Sequence, residues 1–221
     1  WAYRAILYRA IKHLDHVVSM SLTAAAAGEQ GWQFDNPPEP LLQARHLHEV
    51  YSHADKTFTG RVTVPVLWDT HSNTIVNNES ADIIRMFNDA FNDVDGVSHT
   101  DYFPEPLRAE IEALNQVIYA DVNNGVYRCG FAQSQGAYEE AYDKLFNTLD
   151  QLNERLATRR YLFGNQVTET DWRLFSTLVR FDLALDHSEH VGKLSFSGFR
   201  NSVALLLSNL ATTVQEQKPL T

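Results

Sequence analysis

The sequence predicts two domains, an α/β domain followed by an all-helical domain. In the first ninety residues, helical and strand-like hydrophobic periods alternate, whereas after about residue 105 the apolar residues recur only at helical spacing. Between these parts, residues 94–104 are polar, contain Gly96 and end on Phe103 and Pro104, which is typical of a linker. We therefore expect one domain over residues 1–93 and a second over residues 105–221.

The composition is that of a globular protein with an acidic surface. Of 221 residues, 44% are hydrophobic and 21% are charged. The formal net charge of -10 argues against binding to nucleic acid. No apolar run approaches the roughly 20 residues that a membrane-spanning helix needs, so we expect no membrane association. Cys129 is the only cysteine; it excludes an internal disulfide and favours a reducing, cytoplasmic location.

The first domain opens with a predicted helix and a predicted strand. Apolar residues at helical spacing predict the helix over residues 2–15. Val18, Met20 and Leu22 then alternate with serines, which is the period of a half-buried strand. A long, proline-containing connection follows, with a short helix expected around residues 41–51.

A hairpin and a helix complete the first domain. Residues 64–68 and 74–77 are two short strand-like runs joined by a polar turn, and the next helix is predicted to begin with Ser80 as its N-cap. The resulting order, α-β-(α)-β-β-α, is the thioredoxin pattern without its opening strand. That strand is central in the thioredoxin sheet, so its loss leaves an open core. We therefore expect this polypeptide to be marginally stable or to aggregate when expressed alone.

The second domain is predicted to be entirely helical. Apolar stripes run through residues 107–118, 138–156 and 172–179, and residues 203–214 have the spacing of a further helix. Thr168 and Asp171 stand before the third stripe at the spacing of a capping box, which explains a charged residue at the start of an apolar helix.

A candidate binding pocket lies at the hairpin. Val64 and Pro65 enter the first strand, and a proline there leaves neighbouring backbone groups open to an extended peptide. Glu79 and Ser80 open the following helix, where unpaired amides and the helix dipole favour a carboxylate. This arrangement resembles the way in which thioredoxin-like domains hold glutathione.

Several long motifs resemble one family. They are residues 60–69, 75–88, 123–127, 164–175 and 178–182. In this order they closely resemble the glutathionyl-hydroquinone reductases, the Xi-class glutathione transferases related to the Omega class, over about residues 1–182. The resemblance implies a thioredoxin-like domain, lacking its first strand here, followed by the all-α domain of a glutathione transferase. It also implies a homodimer formed through the helical domain.

The resemblance implies a thiol-exchange reaction. In this family a cysteine thiolate attacks the sulfur of a glutathionyl-hydroquinone and releases the hydroquinone, and a second glutathione regenerates the enzyme. The cysteine belongs to a Cys-Pro-Trp-Ala motif. Trp1 and Ala2 match the end of that motif, so the nucleophile would stand two positions before Trp1, and the chain is expected to be a fragment.

The resemblance also assigns binding residues, each with a competing structural interpretation. Val64 before a cis-Pro65 would pair with the cysteinyl part of glutathione, unless the proline merely starts a strand. Glu79 and Ser80 would hold the γ-glutamyl end, although Ser80 alone is typical of an N-cap. The resemblance further implies that Arg61, Val62 and Thr63 flank the glycyl end of glutathione. Two aromatic contacts complete the predicted site, Trp32 against glutathione and Tyr127 against the quinone-type substrate.

Three of those residues also have ordinary explanations. An exposed arginine such as Arg61 is usually solvated, Trp32 would equally fill the core, and Tyr127 would equally lie at a domain interface. Cys129 has neither a cysteine partner nor an evident helix start, and we interpret it as structural. Histidine pairs such as His46 and His48 lack a cysteine or carboxylate arrangement typical of a metal site, so no metal is expected.

The family pattern breaks near the end of the chain. Leu185 stands where the family carries a tyrosine, and the sequence after about residue 183 does not resemble the family. Two functions therefore stay open. The parent protein is a glutathionyl-hydroquinone reductase with glutathione as co-substrate, or the chain is a catalytically inactive module that binds glutathione or dimerises.

Overall fold

The computed structural model describes residues 1–34, 38–181 and 201–216. The chain divides into two compact units, Trp1–Ser98 and His99–Thr221. The division falls within residues 94–104, the segment that the sequence predicts to be a linker. Leu185 and most of the atypical tail lie outside the described residues.

The first unit contains three helices and one hairpin. They are α1 (Ala2–Ile11), α2 (Leu47–Ala54), β1 (Leu67–Asp69), β2 (Thr74–Asn77) and α3 (Ser80–Asp89). The hairpin is antiparallel, with Trp68 opposite Ile75 and Asp69 opposite Thr74. Asp69 accepts hydrogen bonds from the His71 amide at 2.9 Å and the Ser72 amide at 3.2 Å, which closes the turn.

Helix α1 is shorter than the hydrophobic pattern predicts. It ends at Ile11 because His13 adopts a positive φ of 57°, which a right-handed helix does not allow. Leu14 nevertheless lies fully buried beyond the helix, so the apolar spacing continues past the helix end. The buried Lys12 Nζ donates to the Asn88 carbonyl at 2.7 Å and ties this end of α1 to the end of α3, where the helix dipole favours a cation.

The strand predicted at residues 18–22 is not formed. The nearest pairing is an isolated bridge between Thr23 and Phe34, and the Met20 and Leu22 side chains are 45% and 57% exposed. A strand is held by hydrogen bonds to a neighbour, and the alternating sequence cannot replace a missing one. Helix α2 also begins later than predicted, at Leu47, where His46 and Glu49 form a capping box.

The second unit is helical, as predicted. It contains a 3₁₀ turn (Glu105–Leu107), α4 (Arg108–Val117), a π turn (Ile118–Asn123), α5 (Asn124–Gly130), α6 (Gln135–Leu156), α7 (Glu169–Leu178) and α8 (Asn201–Glu216). Gly125 on α5 lies against Leu145 on α6, where a Cβ would make an ordinary van der Waals contact at 3.6 Å. Among the described helices, none combines the length and apolarity needed to cross a membrane.

The predicted capping box at the start of α7 is confirmed. Asp171 accepts hydrogen bonds from the Thr168 amide and hydroxyl, each at 2.8 Å, and from the Leu162 amide at 2.9 Å. The carboxyl is fully buried, and this burial raises its pKa to about 6 despite the three donors. One side chain therefore fixes both the helix start and the loop before it.

Candidate glutathione site

The Val64–Pro65 peptide bond is cis, as the resemblance implies. The segment before it is partly open: Arg61 and Thr63 are exposed, while Val62 and Val64 are half-buried. Among the described residues, the backbone of Val64 has no hydrogen-bond partner, so it is available to an extended peptide. This segment can therefore pair with the backbone of a bound tripeptide.

The start of α3 has the geometry of a helix N-terminus that can bind a carboxylate. Glu79, and not Ser80 as predicted, is the N-cap: its carboxylate accepts from the Ala81 amide at 3.1 Å, and Ser80 is the first helical residue. The Ser80 hydroxyl donates to Glu79 Oε1 at 3.2 Å. Among the described residues, the Ser80 amide has no partner, so it remains one of the donors that a helix start offers to an anion.

A buried tyrosine joins the two halves of the site. Tyr51 Oη donates to the Thr63 carbonyl at 2.9 Å and accepts from Asn78 Nδ2 at 3.0 Å. Asn78 directly precedes Glu79, so the cis-proline segment and the start of α3 are held by one hydroxyl. Neither Tyr51 nor Asn78 is among the site residues predicted from the sequence, because only the fold brings them together.

Arg4 reaches the same place from α1. Its guanidinium is buried, lies 4.6 Å from the centre of the Trp1 ring, and has Nη1 3.4 Å from Ser80 Oγ. A buried cation beside the positive end of a helix is electrostatically unfavourable unless anionic groups lie nearby. Glu79 supplies one such group, and a bound carboxylate would supply another.

Trp32 packs against the same apolar cluster as this segment. It is half-buried and packs with Val62 and Val64 against an apolar cluster that includes Phe34 and Leu47. Its carbonyl accepts from the Leu47 amide at 2.8 Å. Trp32 and Val62 therefore share one apolar cluster, and the core position that competes with a ligand role for Trp32 is present in the structure.

Tyr127 belongs to the second unit. It lies on α5, directly after the π turn, and its side chain is 47% exposed and stacked on Phe131 with ring centres 6.3 Å apart. Cys129, two residues further on, is fully buried, and burial raises its thiol pKa. A buried thiol of this kind is a poor nucleophile, which supports its interpretation as a structural residue.

The histidine pair His46 and His48 differs in one detail from what the sequence predicts. His46 and His48 do have a carboxylate partner, because the capping box brings Glu49 Oε1 to 3.1 Å from His46 Nδ1. Ligand atoms of the three residues lie within 4.8 Å of one another, and the His46 and His48 rings stack with centres 5.3 Å apart. Capping of α2 accounts for the contact between His46 and Glu49.

Two parts of the chain match known protein families. Residues 1–90 match the glutathione S-transferase N-terminal domain, and residues 135–203 match the glutathione S-transferase C-terminal domain. The predicted fold class, a thioredoxin-like domain followed by a helical transferase domain, is thereby confirmed.

Two curated relatives are bacterial. The chain is 50% identical over 186 residues to glutathionyl-hydroquinone reductase PcpF of Sphingobium chlorophenolicum, a match that covers 82% of this chain and 59% of that protein. It is 50% identical over 187 residues to glutathionyl-hydroquinone reductase YqjG of Escherichia coli K12, covering 82% and 57%. The chain thus matches less than two thirds of the length of these relatives.

Solved structures of similar proteins support the same family assignment. The glutathione-bound structure of YqjG from Escherichia coli K-12 is 43% identical with a TM-score of 0.86, over 97% of this chain and 73% of that one. Glutathione transferase Xi 1 from Trametes versicolor is 39% identical with a TM-score of 0.88, over 98% and 78%. The chain belongs to the glutathione transferase family, in the group that contains the Xi-class enzymes and the glutathionyl-hydroquinone reductases.

Proposed function

We propose that the first unit binds glutathione between the cis-proline segment and the start of α3. The proposal rests on the Tyr51 hydroxyl, which forms hydrogen bonds with both the Thr63 carbonyl and the Asn78 side chain. This hydroxyl holds the two halves of the site together. Backbone groups at Val64 pair with the cysteinyl residue. The Ser80 amide and hydroxyl take the γ-glutamyl carboxylate, and Glu79 takes the ammonium group.

The other predicted residues complete the peptide site. Val62 and Thr63 flank the glycyl end, and the exposed Arg61 offers its guanidinium to the glycyl carboxylate. Trp32 covers the tripeptide from the apolar cluster beside Val62 and Val64. The chemistry is that of a bound peptide with a free thiol, and no metal is needed to hold it.

We further propose that the parent protein reduces glutathionyl-hydroquinones. A cysteine thiolate two positions before Trp1 attacks the glutathione sulfur, the carbon–sulfur bond breaks, and the released hydroquinone carbon takes a proton. A second glutathione then attacks the mixed disulfide, frees the thiolate and leaves as glutathione disulfide. Tyr127 exchanges a proton with a hydroquinone oxygen, for which its half-exposed phenol is suited.

The alternative function, an inactive module that binds glutathione, is the one proposed for these 221 residues by themselves. Its one cysteine is buried in the second unit, so binding of glutathione without turnover is the expected behaviour of these 221 residues. We also propose that the protein is cytoplasmic and that its helical domain forms a homodimer.

Calorimetry tests the binding proposal. Glutathione is titrated into the chain and into Glu79→Gln, with Glu154→Gln on α6 as a control of identical net charge. We expect saturable binding, weakened about tenfold by Glu79→Gln and unchanged by Glu154→Gln, because a hydrogen bond to a charged group contributes about 1.5–3 kcal/mol. Equal affinity of all three proteins would contradict the site.

A turnover assay tests the requirement for the missing cysteine. The chain is mixed with glutathionyl-menadione and excess glutathione, and release of the reduced quinone is followed. We expect none above the uncatalysed rate. Turnover by this chain would show that no cysteine before Trp1 is needed and would contradict the proposed reaction.

A further inference from the structure

Three metal-ligating side chains meet at the first turn of α2, outside the proposed glutathione contacts. They are His46, His48 and Glu49, and ligand atoms of all three lie within 4.8 Å of one another. None of the three side chains is buried, so an ion and its water ligands can reach them from solvent. Capping of α2 uses His46 and Glu49 only, so it does not explain the position of His48.

Backbone hydrogen bonds hold the chain on both sides of His46. The Phe34 amide donates to the Arg45 carbonyl at 2.9 Å, and the Leu47 amide donates to the Trp32 carbonyl at 2.8 Å. His46 itself has extended backbone, with φ of -127° and ψ of 147°, before the helix begins. In this backbone the two imidazoles of the cluster lie side by side, with nearly parallel rings at 11°. The fold therefore holds the ligating side chains together before any ion binds.

The contact between His46 and Glu49 has the dimensions of a metal site. His46 Nδ1 lies 3.1 Å from Glu49 Oε1. Two ligand atoms that are each about 2.0–2.2 Å from one zinc ion lie roughly 3–3.5 Å apart. The ionised carboxylate has no proton to donate, and Nδ1 carries one in only one of the two neutral tautomers. In the other tautomer two lone pairs face each other, and a bound cation removes their repulsion.

His48 supplies the third ligand. Among the described residues, its imidazole has no hydrogen bond or ion pair, and its one ring contact is the stacking on His46. Neutral imidazole is the commonest metal ligand in proteins, and a carboxylate oxygen completes a set of two nitrogens and one oxygen. Three protein ligands leave a coordination position for water, which is the pattern of an open zinc site.

The start of a helix also opposes a cation. The positive end of the α2 dipole and the neighbouring Arg45 both lower the affinity, whereas the charge of Glu49 and the formal net charge of -10 raise it. We therefore expect a dissociation constant in the micromolar range, which is weaker than that of a closed structural zinc site with four protein ligands.

We propose that His46, His48 and Glu49 form a binding site for a divalent transition-metal ion of the Zn²⁺ type. Imidazole nitrogens select such an ion over Mg²⁺, which prefers oxygen ligands in octahedral geometry. The ion links the residue before α2 to two residues of its first turn, so its binding is expected to stabilise the helix and to raise the thermal unfolding midpoint of the chain. The site is independent of glutathione binding. The sequence predicts no metal because only the fold brings a carboxylate to the histidine pair.

Calorimetric titration of zinc chloride into the full 221-residue chain tests the proposal. The buffer contains neither glutathione nor another thiol, because thiols bind zinc themselves. We expect one saturable site, a raised unfolding midpoint, and zinc-dependent shifts of the His46 and His48 ring signals in nuclear magnetic resonance spectra. Magnesium chloride is expected to produce none of these effects.

Two pairs of variants locate the ion. His48→Ala removes a ligand that takes no part in capping, and His99→Ala removes an exposed histidine elsewhere as its control. Glu49→Gln keeps a side chain that can complete the capping box but removes the charged ligand, with Glu154→Gln on α6 as its control. Loss of a group that merely supports a ligand costs about 10–100-fold in metal affinity, so His48→Ala and Glu49→Gln are each expected to weaken zinc binding at least tenfold. Both controls should bind zinc as the wild type does.

Three results would overturn the proposal. They are no saturable binding of zinc, unchanged zinc affinity in either His48→Ala or Glu49→Gln, and equal binding of Mg²⁺. The second would show that the ion binds elsewhere on the chain, and the third would show a general attraction to the acidic surface. Neither variant changes a residue that is proposed to contact glutathione. Glutathione titrations of the same proteins without zinc therefore distinguish failure of this site from failure of the glutathione site.

Discussion

Arg4 Nη1 lies 3.4 Å from Ser80 Oγ, so the first turn of α1 contacts the first residue of α3 across 76 positions of sequence. The guanidinium is buried, and the Ser80 hydroxyl in turn donates a hydrogen bond to the Glu79 carboxylate. This relationship places a fixed positive charge beside the amide proposed to bind the γ-glutamyl carboxylate. It makes Arg4 a positioning residue for that end of the ligand.

We therefore expect Arg4→Met to weaken glutathione binding by about tenfold, because a charged hydrogen bond to the site is removed. The loss should be much smaller for a glutathione analogue that lacks the γ-glutamyl carboxylate, and calorimetry with both ligands measures the difference. Arg45→Met, at an exposed position, is the control. If both ligands lose affinity equally, Arg4 acts only through the stability of α1.

Tyr51→Phe removes the hydroxyl that joins Thr63 to Asn78. We expect a loss of about 1 kcal/mol in the free energy of unfolding and about a fivefold rise in the glutathione dissociation constant, because the two halves of the site are no longer held together. Chemical denaturation and calorimetry measure the two effects. Tyr138→Phe in α6 is the control, and unchanged glutathione affinity in Tyr51→Phe would show that the two segments are positioned by other contacts.

Asp171 predicts a pH dependence of stability in the second unit. Its pKa in the folded protein, about 6, lies above the ordinary value of 3.8, so the folded state binds more protons than the unfolded state between these limits. The free energy of unfolding is therefore expected to fall as pH rises from 4 to 6, by on the order of 3 kcal/mol from this group. Denaturation of the wild type and Asp171→Asn across this range tests it: the variant should lack that decrease. Parallel pH profiles would contradict the raised pKa.

Cys129 is expected to be unreactive in the folded chain. Its thiol is buried and has a raised pKa, so iodoacetamide should label it only after denaturant is added. Cys129→Ala should leave the glutathione dissociation constant unchanged. Rapid labelling of the native chain, followed by mass spectrometry, would contradict the structural role.

The local parts of the site could be predicted from sequence. The family resemblance implied the cis bond before Pro65. The Glu79–Ser80 helix start and the capping box of Thr168 and Asp171 depend on neighbouring residues, so short-range chemistry determines both of them. The exception is the N-cap, where Glu79 takes the place expected for Ser80 because its longer carboxylate reaches the Ala81 amide.

The long-range parts could not be predicted. Tyr51 meets Thr63 and Asn78 only after α2 packs beside the hairpin, and no spacing rule indicates a bond across 27 positions. The strand expected at residues 18–22 failed for the same reason. The alternating pattern predicts that one face of this segment is buried. A strand also needs hydrogen bonds from an adjacent strand, and the pattern of the segment itself does not show whether one is present.

Nuclear magnetic resonance of the ¹⁵N-labelled chain titrated with glutathione tests the central claim most directly. We predict saturable shifts of the Val64 and Ser80 amides with a common dissociation constant, and no comparable shifts in α6. Saturable shifts confined to other regions, or the absence of shifts at both amides, would contradict a glutathione site formed by the cis-proline segment and the start of α3.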